Sequence, residues 1–300
     1  MNKKYKKLIY IEALNKIPAY IIIFTIMKVD LHNHSYYSDG FFSPAEVVKF
    51  AYEADCDLFS LTDHDTTDGI DEAQVEADKL GLELLNGVEI SAFWRNMTIH
   101  IVGLGVDINN DILQTGLAHN QALRKERAEK IALGLWRSGI KDALEKTKSL
   151  SKTEMLTRTH FAQMLISEGY CKDMKSVFRR YLTGKKPGGV HVEWKNIDEV
   201  INWIHAAGGK AIIAHPFRYR MTHTKIKNML NDFKGVLGDG LEVVTATSTD
   251  EEVSLGNQFA DKYNLLYSCG SDFHGWPNQR VRIGGLRDLP NLDNAVWRYL

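Results

Sequence analysis

Short apolar segments alternate with helix-like segments along this chain, and that alternation limits the possible folds more than any other feature. Each apolar segment is rich in β-branched residues and has the length of a buried strand. The predicted strands are residues 27–32, 57–62, 83–88, 98–104, 210–214, 240–245 and 265–269. Strands separated by helices indicate parallel βαβ units, so we predict an α/β fold, either a barrel or a doubly wound sheet.

The ends of the first helices are marked by residues typical of helix termini. Ser43 and Pro44 open the segment "SPAEVVKFAYEADC", in the order expected for an N-cap residue and the first helical position. The segment "IDEAQVEADKLG" ends at Gly81, as a helix C-terminus commonly does. We therefore predict a helix after each of the first two strands.

A long stretch between the fourth and fifth strands, residues 106–195, is rich in helical patterning, for example "NQALRKERAEKIALGLWRSG" and "THFAQMLISEGY". We predict that it forms a helical subdomain inserted into one α/β domain built from residues 27–105 and 196–300. Residues 1–26 are basic and then apolar for about eleven residues, which is short of the ~20 that a membrane helix needs. No small-residue cleavage site follows, so we predict an extension outside the fold, with a membrane tether as the alternative.

Composition and charge exclude several classes of protein. Hydrophobic residues make up 44% of the chain and charged residues 25%, which is ordinary for a globular protein. The net charge of -1 provides no broad basic field for non-specific nucleic-acid binding, so an anionic ligand must be held locally. Cys56, Cys171 and Cys269 lack paired spacing, which argues against a disulfide framework and a zinc ribbon. We expect a reducing, cytoplasmic location.

Polar residues follow or flank most of the predicted strands. In a parallel α/β architecture the carboxyl ends of the strands meet on one face, where such folds place their chemistry. The clustered residues are His32, His34, Asp39, Asp63, His64, Asp65, Glu89, His100, His215, Asp272 and His274. We therefore expect these side chains to converge on one site.

The residue types in this cluster suit divalent metal ions. Imidazole nitrogens and carboxylate oxygens bind manganese, iron or zinc, and a carboxylate can bridge two ions about 3.5–4 Å apart. Residues i and i+2 of a strand point the same way, so His32 and His34 can reach the same ions. A single catalytic zinc takes only about three protein ligands. We therefore predict two or three ions, because so many buried charged groups would otherwise lack compensation.

The members of the cluster have different expected roles. Glu89 and His100 each stand alone in their segments, so either could lie behind the ligands rather than bind an ion. Asp63 and Asp65 flank His64, and we expect them to orient ligands or to cap the next helix rather than to bind metal themselves.

The motifs "DLHNHSYYSDG", "LTDHDTT", "GVEIS", "HIVGLG", "AHP" and "GSDFHG", in this order, resemble the PHP (polymerase and histidinol phosphatase) family of metal-dependent phosphoesterases. That resemblance implies a distorted seven-stranded β/α barrel with an inserted helical subdomain above the substrate, and a three-metal site usually supplied with manganese. Carried over residue by residue, it implies nine metal ligands: His32, His34, Asp39, His64, Glu89, His100, His215, Asp272 and His274.

Within the family, "LTRTHFAQMLISEGY", "FRRYLTGKKPGGV" and "HAAGGKAIIAHPFRY" resemble the branch that contains RNase AM. This likeness implies a 5'-to-3' exoribonuclease that releases 5'-mononucleotides from short RNA and also removes the 3'-phosphate of nucleoside 3',5'-bisphosphates. In both substrates the scissile phosphorus is bonded to the 3'-oxygen of a nucleotide that carries a 5'-phosphate, so one site can serve both. We expect no stable protein partner and no association with a membrane.

The expected mechanism follows from charge. Phosphate esters repel hydroxide, and clustered divalent ions lower the pKa of a bound water and stabilise the entering and leaving oxygens. We expect a metal-bridging hydroxide to attack phosphorus in line, without a covalent intermediate, because no Ser-His-Asp arrangement or Gly-rich phosphate loop stands out.

The 5'-phosphate needs its own binding residues. We predict that Arg158 and His160 bind it, with Lys185, Lys186 or Arg218 assisting, because the guanidinium fork binds two oxygens of a terminal phosphate at once. Alternatively, "LTRTHFAQML" is simply a capped surface helix.

Two other functions stay open. A histidinol phosphatase would share every metal ligand and differ only in the insertion. A metal-stabilised regulatory module without turnover is the alternative from another class, although the intact ligand set argues against it.

Overall fold

A computed structural model describes residues 27–219, 221–275 and 280–300. Within them, seven strands form one sheet whose spatial order follows the sequence. The strands are β1 (Val29–Asp30), β2 (Leu58–Leu61), β3 (Glu83–Trp94), β4 (Met97–Leu104), β5 (Lys210–Ile213), β6 (Gly240–Thr245) and β7 (Leu266–Gly270). All the predicted strands are therefore confirmed. The predicted extension, residues 1–26, lies outside the described residues.

The sheet curls into a nearly closed barrel. Leu31 N donates to Cys269 O at 3.1 Å, and Asn33 pairs with Phe273, so the first and last strands lie side by side. Fully buried side chains such as Leu31, Ile90 and Ile101 form the main apolar core. The barrel predicted from the sequence is confirmed.

The direction of β4 differs from the prediction of uniformly parallel strands. The pairs β1–β2, β2–β3, β5–β6 and β6–β7 are parallel, whereas β4 runs antiparallel to both β3 and β5. The two residues between β3 and β4, Arg95 and Asn96, have φ angles of 43° and 66°, and a two-residue turn with positive φ at both positions matches the twist of a hairpin. β3 is also longer than predicted and continues to Trp94.

Helices surround the barrel and continue above it. The first two end as predicted: Ser43 and Glu46 form a capping box at the start of α1, and Gly81 closes α2 in the left-handed conformation. The helices are α1 (Pro44–Glu53), α2 (Ile70–Leu80), α3 (Asp111–Arg137), α4 (Ala143–Leu150), α5 (Arg158–Ser167), α6 (Met174–Val177), α7 (Ile197–Ala206), α8 (His223–Gly235) and α9 (Asp250–Tyr263). None of the helices in the described part of the chain is long and apolar enough to cross a membrane.

Helices α3 to α6 and a π-helical turn, Phe178–Leu182, lie between β4 and β5. Their buried residues, including Leu135, Phe161 and Leu165, form an apolar cluster separate from the barrel core. Helix α3 joins the two regions: its 27 residues span about 40 Å, and Gly116 packs directly against the ring of Trp203 on α7. The helical patterning predicted for 106–195 is thus present.

Candidate active site

The carboxyl ends of the barrel strands gather histidines and carboxylates into one buried cluster. His32 and His34 follow β1, and their Nε2 atoms both lie 3.3 Å from Glu89 Oε2 and within 3.4 Å of Asp272 Oδ1. The expectation that these two histidines reach a common centre agrees with this geometry. Glu89 lies in the middle of β3 rather than after its end, because β3 extends beyond it.

Eight of the nine predicted ligands form three overlapping groups in which the ligand atoms lie within 4.8 Å of one another. The groups are His34, Asp39, His64 and His274; His32, His34, Glu89 and Asp272; and His64, Glu89 and His100. The ninth, His215, adjoins them with Nε2 2.9 Å from Glu89 Oε1. His34, His64 and Glu89 each belong to two groups, so the three groups form one continuous cluster.

The antiparallel course of β4 explains how His100 joins this cluster. Because β4 runs back from the hairpin, His100 lies opposite Ser91 in the register and faces Glu89, with His100 Nδ1 2.9 Å from Glu89 Oε1.

Several buried nitrogen and oxygen atoms of the cluster lack hydrogen-bond partners, which bears on whether a metal ion fits there. Within the described residues, His32 Nε2, Asp39 Oδ1, His64 Nδ1, Glu89 Oε2 and His215 Nδ1 are buried and have no hydrogen-bond partner. His64 Nδ1 and Glu89 Oε2 are only 2.7 Å apart, yet they do not have hydrogen-bonding geometry. Buried polar atoms are costly without partners, so lone pairs that converge without bonding each other fit shared cations.

The protonation of the cluster also suits cations. Burial alone would raise the pKa of Glu89, but the surrounding histidines, His64 first, hold it well below its usual range. In the same way, His274 and His64 outweigh burial and hold the pKa of Asp39 well below normal. Burial lowers the pKa of His64 to about 3. Ionised carboxylates and neutral imidazoles are the forms that bind divalent metal.

Residues next to the cluster fix the orientation of its histidines. Ser38 Oγ donates to Asp63 Oδ1 at 2.6 Å and lies 3.4 Å from His34 Nδ1, so that nitrogen donates to Ser38 and Nε2 keeps a free lone pair. Asp63 also accepts from the backbone and side chain of Ser35, in the loop that carries His34 and Asp39. Asp63 thus holds the loop that carries two of the predicted ligands, His34 and Asp39.

Asp65 holds the insertion against the barrel. It is fully buried with φ of 52°, and it accepts from Ser91 N, Asn120 Nδ2 and Arg124 Nε at 2.6–2.8 Å. Burial would raise its pKa, but Arg124 and these donors lower it. The next helix begins after Gly69 without a side-chain cap, so neither Asp63 nor Asp65 caps it.

Glu242, in the middle of β6, is a site residue that the sequence reasoning missed. It is 2% exposed, its Oε1 lies 2.8 Å from His32 Nδ1, and its Oε2 accepts from His215 N at 2.6 Å. Burial would lower the pKa of His32, but Glu242 and Glu89 raise it to about 10, so a metal ion that bound His32 would displace the proton from its Nε2. A glutamate within the otherwise apolar "GLEVVT" was the available signal.

Arginines line the cavity above the cluster, which has a volume of about 230 Å³. Arg158 is on its wall as predicted, together with Arg124 and Arg127 of α3, which the sequence reasoning missed. Arg127 is 7% exposed, lies over the ring of Trp194, and has an Nε without a partner among the described residues. Burial, together with Arg124 and Arg158, lowers the pKa of Arg127 well below its usual range. These guanidinium groups form a concentrated positive wall.

The other predicted substrate-binding residues have different positions. Arg218 lines the cavity and forms an ion pair with Asp272. His160 does not line it: its Nδ1 accepts from Thr157 N in the capping box of α5. Lys185 and Lys186 are exposed and are also absent from the cavity wall. The structure therefore brings only Arg158 and Arg218 of the five to this cavity.

The chain resembles proteins of known description over nearly its whole length. It is 40% identical over 275 residues to the 3',5'-nucleoside bisphosphate phosphatase of Chromobacterium violaceum, covering 91% of this chain and 96% of that protein. It is 41% identical over 273 residues to a 5'-3' exoribonuclease of Haemophilus influenzae, covering 90% and 98%. A solved structure described as a Chromobacterium violaceum amidohydrolase with bound sulfate and no metal superposes with a TM-score of 0.86, at 40% identity, covering 91% of this chain and 95% of that one.

A family model described as the PHP domain matches residues 30–209. The match begins at the strand before His32 and includes six of the nine predicted ligands and the whole of the helical stretch between β4 and β5. The resemblance inferred from the motifs is confirmed, and the chain belongs to the PHP domain family.

Proposed function

We propose that this protein is a metal-dependent phosphoesterase that hydrolyses the 3'-phosphoester of 5'-phosphorylated nucleotides. Its substrates would be nucleoside 3',5'-bisphosphates and short 5'-phosphorylated RNA, from which it releases 5'-mononucleotides. The observation that carries this proposal is that one cavity has metal-type ligands on its floor and an arginine wall beside them. Such a site can hold two phosphates of one nucleotide in different roles.

The floor of the cavity would receive the scissile 3'-phosphate. The nine ligands named above would hold two or three divalent ions, with manganese as our choice among the metals that such nitrogen and oxygen donors accept. The ions, when bound, would supply Lewis acidity to the phosphoryl oxygens and an activated water. Arg218 adds a guanidinium at the edge of this floor, where it contacts Asp272.

The arginine wall would bind the 5'-phosphate. Arg127 and Arg158 have no carboxylate partner among the described residues, whereas Arg124 is already paired with Asp65. Burying a guanidinium without a counter-ion is costly, so an anionic ligand that neutralises both groups would be bound strongly. We therefore propose that Arg158 and Arg127 bind the 5'-phosphate. The other residues predicted for this role, His160, Lys185 and Lys186, do not line the cavity.

The names of the relatives support this choice of substrate. One is named for a nucleoside 3',5'-bisphosphate and the other for 5'-to-3' degradation of RNA. Both substrates place a 5'-phosphate one nucleotide away from the phosphorus that is attacked. The helical residues 106–195 would form a fixed roof above the substrate, and the three free cysteines agree with the cytoplasmic location that we propose.

The test offers metal-free protein three substrates with added manganese: 3',5'-bisphosphoadenosine, a short 5'-phosphorylated RNA and histidinol phosphate. We expect release of 5'-mononucleotides from the first two and negligible turnover of the third. Turnover of histidinol phosphate alone would overturn the substrate assignment. Metal binding without turnover of any of the three would favour a regulatory module instead.

A further inference from the structure

A second cavity lies beside the candidate active site and has a different chemical character. Its volume is about 410 Å³, and it is bordered by the loop after β1 on one side and by α4 and α5 on the other. Its walls include the rings of Tyr36 and Phe41 and the aliphatic side chains of Leu150 and Ile166. Phe41 and Leu150 are partly exposed, so the space is an open cleft, and a cleft of this size with aromatic walls is suited to a flat, partly apolar ligand.

The two cavities are neighbours along the chain and in space. Asp39 lines the active site, while Gly40 and Phe41, the next residues, line the second cavity. Thr157 Oγ1 donates to Asp39 Oδ2 at 3.4 Å, so the loop after β1 contacts the start of α5 at the wall of the active site. Phe41 N donates to the backbone oxygen of His274, so the backbone of Phe41 lies beside that of a proposed metal ligand.

The second cavity also holds a buried hydrogen-bond donor. His160 is 5% exposed, and because its Nδ1 accepts from Thr157 N at 3.1 Å, the proton of the neutral ring is on Nε2. Among the described residues, no partner is found for that Nε2, and the ring borders the cavity. Lys152 Nζ lies 5.9 Å from the centre of the Tyr36 ring and places a positive charge at the edge. Aromatic walls, one buried donor and a nearby cation match a nucleobase on a phosphate chain.

The position of this cavity indicates which base it would take. The arginine wall, formed by Arg124, Arg127 and Arg158, borders the active site from α3 and from the first turn of α5, whereas the later turns of α5 border the second cavity. The loop carrying Asp39 and Phe41 borders it from the side of β1, beyond the metal-type ligands Asp39 and His274. A chain whose 5'-phosphate contacts the arginines and whose scissile phosphate lies at the ligand cluster would continue past Asp39 and His274 to the cavity that Phe41 borders.

We propose that this second cavity binds the base of the nucleotide on the leaving side of the scissile phosphate in RNA substrates. The inference rests on the proposed function and deepens it by separating the two activities. A nucleoside 3',5'-bisphosphate has no such base, whereas every RNA substrate has one. The cavity would therefore distinguish RNA from a bisphosphate by contacts that do not involve the reacting phosphate.

The test measures kcat/KM for three substrates. They are a 5'-phosphorylated adenine dinucleotide, the same dinucleotide without its second base, and 3',5'-bisphosphoadenosine. We expect the base to improve kcat/KM about tenfold or more, as stacking on an aromatic side chain does. Phe41→Ala should abolish this preference, and Phe41→Tyr, which keeps the ring, should retain it. Tyr52→Ala is the matched control, because Tyr52 is a similarly exposed aromatic residue on the outer face of α1.

The possible outcomes separate the two proposals. Turnover of all three substrates without any preference for the second base would overturn the subsite while leaving the proposed function intact. If Phe41→Ala weakened only the turnover of 3',5'-bisphosphoadenosine, the cavity would hold the first base and the inference would be wrong. Absence of turnover on every substrate would instead overturn the proposed function itself.

Discussion

Replacing Glu242 by glutamine should weaken metal binding without unfolding the barrel. The carboxylate of Glu242 lies 2.8 Å from His32 Nδ1 and 2.6 Å from His215 N, and both of these groups are donors in the metal-binding form. A glutamine offers one acceptor oxygen and one donor nitrogen, so its amide cannot serve both. One charge-assisted hydrogen bond is lost, and a ligand histidine loses the partner that fixes its ring.

The magnitude follows from that single loss. A hydrogen bond to a charged group contributes roughly 1.5–3 kcal/mol, which corresponds to about a 10- to 100-fold weaker metal affinity. Losing a partner that orients a metal-bound histidine has effects of the same order. Calorimetric titration of the metal-free protein with manganese measures the dissociation constant directly, and circular dichroism reports whether the fold is kept.

Glu76→Gln is the matched control. Like Glu242, Glu76 is a mostly buried glutamate: it is 9% exposed and forms ion pairs with Lys49 and Lys79. It lies on α2, away from the ligand cluster. We expect its manganese affinity to equal that of the unsubstituted protein. A Glu242→Gln protein that binds manganese within a factor of two of the unsubstituted protein would refute the positioning role.

Three further changes have distinct expected results. Arg158→Ala should raise KM for 5'-phosphorylated RNA and leave RNA with a free 5'-hydroxyl unaffected, as measured by steady-state kinetics. Arg124→Leu leaves the buried carboxylate of Asp65 without its ion pair, so the free energy of unfolding in urea should fall by about 3–5 kcal/mol. Gly270→Ala should abolish manganese binding in a calorimetric titration, because the new Cβ would lie 2.2 Å from His32 Cβ.

Each of these changes has a result that would contradict it. An equal loss on both RNA substrates would show that Arg158 does not bind the 5'-phosphate. Unchanged stability of the Arg124→Leu protein would mean that Asp65 is satisfied without its ion pair. Gly235→Ala is the control for Gly270, since nothing lies within 4 Å of the added Cβ, and equal manganese affinity of the two variants would remove the steric argument.

The parts of the fold that depend on local sequence were predictable. Strand positions follow from apolar β-branched segments, and the helix ends follow from Ser43, Pro44 and Gly81. The ligand cluster was predictable for a similar reason, because His32 and His34 are close in sequence and follow an apolar strand.

Features that depend on contacts between distant segments were not predictable. The antiparallel course of β4 depends on a turn at Arg95 and Asn96, where no glycine marks the positive φ angles. The roles of Glu242 and Arg127 depend on neighbours far away in the sequence. His160 was assigned to the phosphate because it follows Arg158 closely, yet successive positions on a helix face different directions, and its ring borders the other cavity.

Helix α3 fixes the position of the insertion relative to the barrel. It is a single helix from Asp111 to Arg137 that packs against the barrel at Gly116, is bonded to Asp65 through Asn120 and Arg124, and continues into the insertion. A lid needs a hinge, and this connection is a continuous rod fixed at two levels of the barrel. The distance between the ligand cluster and the arginine wall is therefore fixed by the fold. Under the proposed function, this fixed distance selects the phosphoester that lies one nucleotide from the 5' end of the chain.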